Sequence, residues 1–170
     1  MITARHLVTA RLVMSPVGGA DLRDLVGLKA DPLAFAQMLG GVRSAHRTAE
    51  ELAEDIQAWG EFGFGMWAVR ARSGGRFCGV TGLMHRPDGR GVALRFAFRP
   101  EARGVGLASE AAHAALVYAH EVAGLTRVIA VAREENFSSR TVLGAIGMAE
   151  ADRFMRHGIL LLIYQSVRQG

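Results

Sequence analysis

Apolar and polar positions divide the chain into stretches of two periods. Helical spacing, with apolar residues three and four apart, runs through Ala20–Lys29, where Leu22, Leu25, Val26 and Leu28 share one face. A second helical piece is expected from Asp31-Pro32, because proline suits a first helical turn. Thr48-Ala-Glu-Glu51 has the form of a capping box, opening a helix that carries Leu52, Ile56 and Trp59. Leu107–Ala123 reads as a long alanine-rich helix closed by Gly124, and Ser138–Ile146 as a shorter one stopped by Gly147.

Between the helices the period falls to two. Arg11–Val17 reads as a first strand, ended by Pro16 and the Gly18-Gly19 pair. Gly65–Arg72, Arg76–His85 and Val92–Arg99 follow, separated by Ser73-Gly-Gly75 and Pro87–Gly91; such turn residues predict sequential antiparallel strands. In Val92–Arg99 one face carries Val92, Leu94, Phe96 and Phe98, and the other Ala93, Arg95, Ala97 and Arg99. The first face predicts core and the second is mostly small. Arg127–Ala132 is a short buried strand, and the tail, Asp152–Met155 with Ile159–Val167, predicts a hairpin across His157-Gly158. The expected order is β-α-α-β-β-β-β-α-β-α-β-β, a mixed α/β chain. A helix joins Val92–Arg99 to Arg127–Ala132, so those two strands should be parallel, with a right-handed crossover.

Composition narrows the class. A chain of 170 residues, half of them hydrophobic and 21% charged, fits one domain spanning residues 1–170 with a full core. A single cysteine, Cys78, excludes an internal disulfide and a cysteine zinc cluster, which suits a reducing cytoplasm. Arg5, His6 and Arg11 interrupt the N-terminal stretch, so no signal peptide is read there. The longest apolar run, Ile159–Tyr164, is too short to span a bilayer, so no membrane partner is expected. No metal-ligand spacing occurs. The net charge of +4 fits a polyanion, a phosphorylated cofactor or RNA, as well as a plain basic surface.

The chemistry concentrates at Arg103-Gly-Val-Gly-Leu-Ala-Ser109, where a strand hands over to a helix. Glycine costs about 1 kcal/mol against alanine inside a helix. A helix start, however, leaves four N–H groups unpaired and carries partial positive charge, so bare backbone there admits a phosphate. A glycine turn that merely packs helix on sheet is the plain alternative. A dinucleotide-binding glycine loop is a third reading, weakened because Ser109 stands at the third glycine and the motif comes late in the chain.

Arg103-Gly-Val-Gly-Leu-Ala108 resembles the R/Q-x-x-G-x-G/A motif of the GNAT superfamily of N-acetyltransferases. Ala108-Ser-Glu-Ala111 and Thr9-Ala-Arg-Leu12 are similar to runs in the subgroup containing the ribosomal-protein N-terminal (RimJ/RimL-like) acetyltransferases. So is Glu135-Asn-Phe-Ser-Ser-Arg140 with Leu143-Gly-Ala-Ile-Gly147-Met148, although Met148 replaces an aromatic residue. The resemblance covers nearly the whole chain. It implies a GNAT fold with splayed parallel central strands, and transfer of an acetyl group from acetyl-CoA to a primary amine by direct attack. The subgroup favours a protein N-terminal α-amino group but also includes enzymes for small amines. A non-catalytic acyl-CoA-binding module is the first alternative and an NAD(P)-binding oxidoreductase the second. No direct nucleic-acid partner is implied, and a homodimer is left open.

Carried over residue by residue, the backbone of Gly104, Val105, Gly106, Leu107, Ala108 and Ser109 would bind the CoA pyrophosphate, and Arg103 would shape that loop. Phe96, Ala97 and Phe98 would pair with the pantetheine arm, and Asn136 would bond it or hold its loop. The Phe98 N–H would polarise the thioester carbonyl. The family's usual tyrosine falls at Leu143, so Ser139 is the substitute proton donor, contacting the cofactor end as well. The strand acid is also missing, because Ala93, Arg95 and Ala97 occupy its places. His85 is then the candidate base. Glu110 reads as structural, His113, Tyr118 and His120 as packing or surface, and Cys78 as no nucleophile. Acceptor specificity is expected from Ala30–Arg47, Phe62–Met66 and the terminal hairpin.

Overall fold

A computed structural model describes residues 5–38 and 40–169; residues 1–4 and 170 of the expected domain, and Leu39 of the expected acceptor region, lie outside it. Eight strands form one sheet: β1 (Leu7–Val8), β2 (Leu12–Pro16), β3 (Met66–Ala71), β4 (Phe77–His85), β5 (Val92–Phe98), β6 (Arg127–Arg133), β7 (Ala149–Arg156) and β8 (Ile159–Val167). Their order across the sheet is β1-β2-β3-β4-β5-β6-β8-β7. Neighbours are antiparallel except β5 and β6, which are parallel. The mixed α/β class and the strand total agree with expectation, but three strands rather than four follow the N-terminal helices. The eighth is the two-residue β1, paired with β2 through Leu7–Met14 and Val8–Val13.

The helices are α1 (Leu22–Ala30), α2 (Pro32–Phe35), α3 (Ala45–Phe62), α4 (Leu107–Glu121) and α5 (Phe137–Ala145). Asp31 caps α2 by accepting from the Leu33 N–H at 2.9 Å, which is why the Asp-Pro pair starts a helix. The start expected at Thr48 is wrong. Ser44 caps α3, its hydroxyl accepting from Arg47 N–H at 3.1 Å. Thr48 lies a turn inside, fully buried, with no hydrogen-bond partner for its hydroxyl. Ile56, expected on the apolar face, is 43% exposed, while Leu52 and Trp59 are buried.

Both faces of the sheet are covered. The alanine stripe of α4 (Ala111, Ala112, Ala115, Ala119) packs on one face with Trp67, Leu94 and Phe98. Small side chains there let helix and sheet approach closely. The three N-terminal helices cover the other face with Leu25, Leu28, Phe35 and Leu52 against Met66, Ala68, Val80 and Ala97. A separate patch on the same face joins Ala93 to Ile129 and Ile163. Arg95 stands on β5 between Ala93 and Ala97, hence between the two apolar patches.

Candidate active site

The central strands part almost as soon as they meet. β5 and β6 share a single register pair, Ala93 with Ile129. Beyond it Leu94–Phe96 and Ala130–Arg133 line opposite walls of a cavity of about 860 Å³, closed on the sheet face by α1, α3 and their connection. Asn136 and Ser139 of α5 and His85 of β4 also border it.

The ladder between β4 and β5 decides where backbone groups point. Arg99 N–H donates to Cys78 at 2.9 Å, so alternation turns the polar groups of Ala93, Arg95 and Ala97 toward β4. Phe96 and Phe98 therefore direct theirs away from β4, to the side where β6 has departed. Of the three residues expected along the pantetheine arm, Ala97 spends its N–H and C=O within the sheet. The Phe98 side chain is buried in the core, so only its backbone can take part.

At the end of β5 the glycine turn opens α4. Gly104 and Gly106 have φ of 81° and 84°, a left-handed conformation that residues with side chains adopt only under strain. Among the described residues no N–H from Gly104 to Ser109 has an internal acceptor; the first helical bond is Glu110 N–H to Gly106 at 3.1 Å. A Cβ added at Gly104 would meet nothing within 4 Å. Six free donors at a helix N-terminus, over open space, fit a diphosphate.

Arg103, beside the turn, and the distant Thr9 and Arg11 fix it. Arg103 donates through Nε to the Phe98 carbonyl at 3.3 Å and through Nη2 to the Leu33 carbonyl, tying the loop to β5 and α2. Thr9 and Arg11 grip Glu110: the Thr9 hydroxyl and Arg11 N–H both donate to Oε2, and Arg11 Nε donates to Oε1 at 2.8 Å. Arg11 Nη1 also donates to the Val105 carbonyl at 2.8 Å. Partial burial works against the Glu110 carboxylate, but these bonds hold its pKa below the usual range. The Thr-Ala-Arg-Leu stretch thus clamps the first turn of α4.

Asn136 caps α5, its Oδ1 accepting from Ser139 N–H at 3.2 Å and the Ser138 hydroxyl at 3.1 Å. The Ser139 side chain is then left facing the cavity. Arg140 steadies the loop before α5 by donating to the Glu134 carbonyl and the Tyr164 hydroxyl. Leu143 is buried in the core. His85 is exposed on the rim, its ring packed against Phe62 and Phe64 at centroid distances of 4.6 and 5.5 Å. His113 is exposed on α4. Tyr118 is buried and donates to the Gly63 carbonyl, and His120 bridges Leu125 and Ser166. Cys78 is fully buried.

Residue 11 to residue 149, most of the chain, matches the family model of the acetyltransferase (GNAT) domain. The chain belongs to the GNAT acetyltransferase family. That membership sets the dinucleotide reading aside and makes the chain an N-acetyltransferase. Among solved structures, an acetyltransferase from Agrobacterium tumefaciens superposes with a TM-score of 0.85 at 24% identity, over 99% of this chain and 97% of that one. RimL, a ribosomal L7/L12 α-N-protein acetyltransferase in complex with CoA, gives 0.76 at 16% identity, over 95% and 96%. Spermidine N-acetyltransferase from Vibrio cholerae, with CoA and spermine, gives 0.77 at 16%, over 94% and 96%. The fold is what they share with this chain.

Several charged residues on the cavity were absent from the expected set, Asp55 and Arg95 among them. Asp55 of α3 and Arg95 of β5 both line it. Burial pushes the Asp55 carboxyl up to about 6, against the pull of Lys29 and Arg95. Burial, and Arg43 nearby, lowers the Arg95 pKa, though a guanidinium stays charged. The signal for Asp55 was in the helix period: Thr48, Leu52, Asp55 and Trp59 recur at spacings of four, three and four, which sets the half-buried Asp55 on the face of the three buried residues.

Proposed function

We propose that this GNAT acetyltransferase binds acetyl-CoA across the parted strands and acetylates a primary amine entering from the side of α1 and α3. The single β5–β6 register pair, with the free-donor glycine turn at its end, carries the reading. The backbone of Gly104 to Ser109 holds the diphosphate, and Arg103 keeps that loop in register with β5. Phe96, through its backbone, and Phe98, through its N–H alone because Arg103 takes its carbonyl, supply strand hydrogen bonds to the pantetheine arm, much as an added strand would. When bound, the thioester supplies the activated acetyl group; everything else falls to this chain.

The Phe98 N–H, turned into the gap, is the donor for the developing oxyanion. The Ser139 hydroxyl is the proton source for the departing sulfur, positioned because Asn136 occupies the backbone N–H of the same residue. His85, on the rim, exchanges protons with solvent. A protein N-terminal amine and a small amine are both admitted by an open cavity of this size. The buried, unpaired Cys78 suits a reducing compartment, so we place the enzyme in the cytoplasm.

Thiol release from acetyl-CoA, followed over a panel of amines and N-terminal peptides, tests the activity. Turnover with at least one amine supports it; none, with no calorimetric binding of acetyl-CoA, ends it. Ser139→Ala should lower kcat by about 10² while acetyl-CoA affinity is retained.

A further inference from the structure

Most charges on the cavity are spoken for. Lys29 and Arg43 both pair with Glu51, at 3.0 and 3.1 Å, and Arg47 lies among Glu50, Glu51 and Glu54. Arg86 pairs with Asp88 at 2.7 Å. Arg156 of β7 has no such partner among the described residues, and neither do Asp55 and Arg95. Among the described residues Asp55 has neither a hydrogen bond nor an ion pair, and Arg95 has no carboxylate within ion-pair distance. Among the described residues the Arg95 guanidinium has one hydrogen-bond partner, the Met84 sulfur. They are not paired with each other, yet both face the same cavity from opposite walls, α3 and β5. A carboxylate and a guanidinium, each half-buried and left apart, are costly unless something completes them.

We propose that Asp55 and Arg95 form the acceptor site, with Asp55 taking a proton from the acceptor's ammonium and Arg95 holding a carboxylate on the same molecule. This rests on the acetyltransferase reading and adds the substrate class to it: an amine that carries a carboxylate, as a free amino acid or an acidic N-terminal residue does. Arg95 supplies a forked donor suited to two carboxylate oxygens. It stands where the family's strand acid would be expected, so charge at that place is reversed and the basic group comes from the helix opposite. Cations outnumber carboxylates around the cavity, which disfavours polyamines.

The protons and electrons balance as follows. The ammonium gives one proton to the Asp55 carboxylate, and the freed lone pair forms the N–C bond to the acetyl carbon. The C–S bond breaks, its electron pair leaving on sulfur, which takes the Ser139 proton. The second amine proton passes to solvent, Asp55 gives up its own proton to solvent, and Ser139 regains one from solvent, so one proton is released per turnover. A carboxyl raised to about 6 by burial accepts the first proton more readily than an exposed one. The charged groups around it are Lys29 from α1, Glu51 and Glu54 from α3, and Arg95 from β5.

The test compares kcat/KM for free amino acids with that for their decarboxylated amines, for spermidine, and for amidated tripeptides beginning with glutamate or glutamine. We expect a preference of about tenfold to hundredfold for the carboxylate-bearing member of each pair. Arg95→Gln should abolish that preference and Arg95→Lys restore part of it. Asp55→Asn should cut kcat about 10²-fold, remove the acidic limb of the rate profile near pH 6, and leave acetyl-CoA affinity unchanged. Preference among free amino acids identifies that source, and preference confined to the peptides identifies the other. Acetylation of amines without carboxylate preference in the wild type overturns this inference and spares the acetyltransferase reading. Absence of both acetyl-CoA binding and turnover overturns both. The wild-type comparison needs no variant to fold.

Discussion

The two glycines at 104 and 106 serve two demands at once. Their left-handed backbone turns the chain from β5 into α4, and their missing side chains leave donors bare. Gly106→Glu should therefore strain the turn by about 1 kcal/mol and set a carboxylate against the anion site. Calorimetry should show acetyl-CoA binding lost while the protein still melts cooperatively. Asp55 carries a different consequence. Its carboxyl is pushed up to about 6 from an ordinary 3.8, chiefly by burial. Between those values the folded state binds more protons than the unfolded one, so ionising Asp55 costs stability as pH rises through that window. The melting temperature of Asp55→Asn should exceed the wild type's above pH 6 and converge with it near pH 4.

At the scale of elements, an ion cluster ties α1 to α3. Glu51 takes Lys29, only 8% exposed, together with Arg43. Burial opposes the Glu51 charge, but those two cations hold its pKa below the ordinary value. Its stabilising share is present above the unfolded pKa and is lost as pH falls through the lower folded one. Glu51→Ala should destabilise by about 3 kcal/mol in urea titration, because it strands two cations. The elements were largely legible in the sequence, since alternation in Val92–Phe98, the proline at Asp31-Pro32 and the paired turn glycines each dictate one local conformation. Thr48 misled because a capping box is a local pattern, and Ser44, four residues nearer the turn, competes for the same role. The glycine turn and Asn136 were visible as motifs. Asp55 and Arg95 were not, because their meaning lies in what they fail to pair with, and that is set by helices and strands meeting from far apart in the chain.

For the whole molecule, the parted strands leave two half-sheets joined edge to edge by one register pair and by the packing of α4. A ligand that fills the gap should couple the halves. At a hundredfold excess over Kd, acetyl-CoA should stabilise by about 2.7 kcal/mol, raising Tm by roughly 5–10 °C. Amide exchange should slow most at Phe96, Phe98 and along β6. Unshifted melting at saturating acetyl-CoA, with exchange unaltered there, would refute that coupling. The order of the last strands has its own outcome. β8 lies between β6 and β7, although β7 is made first. On the ribosome, β7 has no neighbour to dock against until residues 159–167 have cleared the exit tunnel. The half built from β1 to β5 can thus settle before β8 is made, while β6 and β7 must both wait for it.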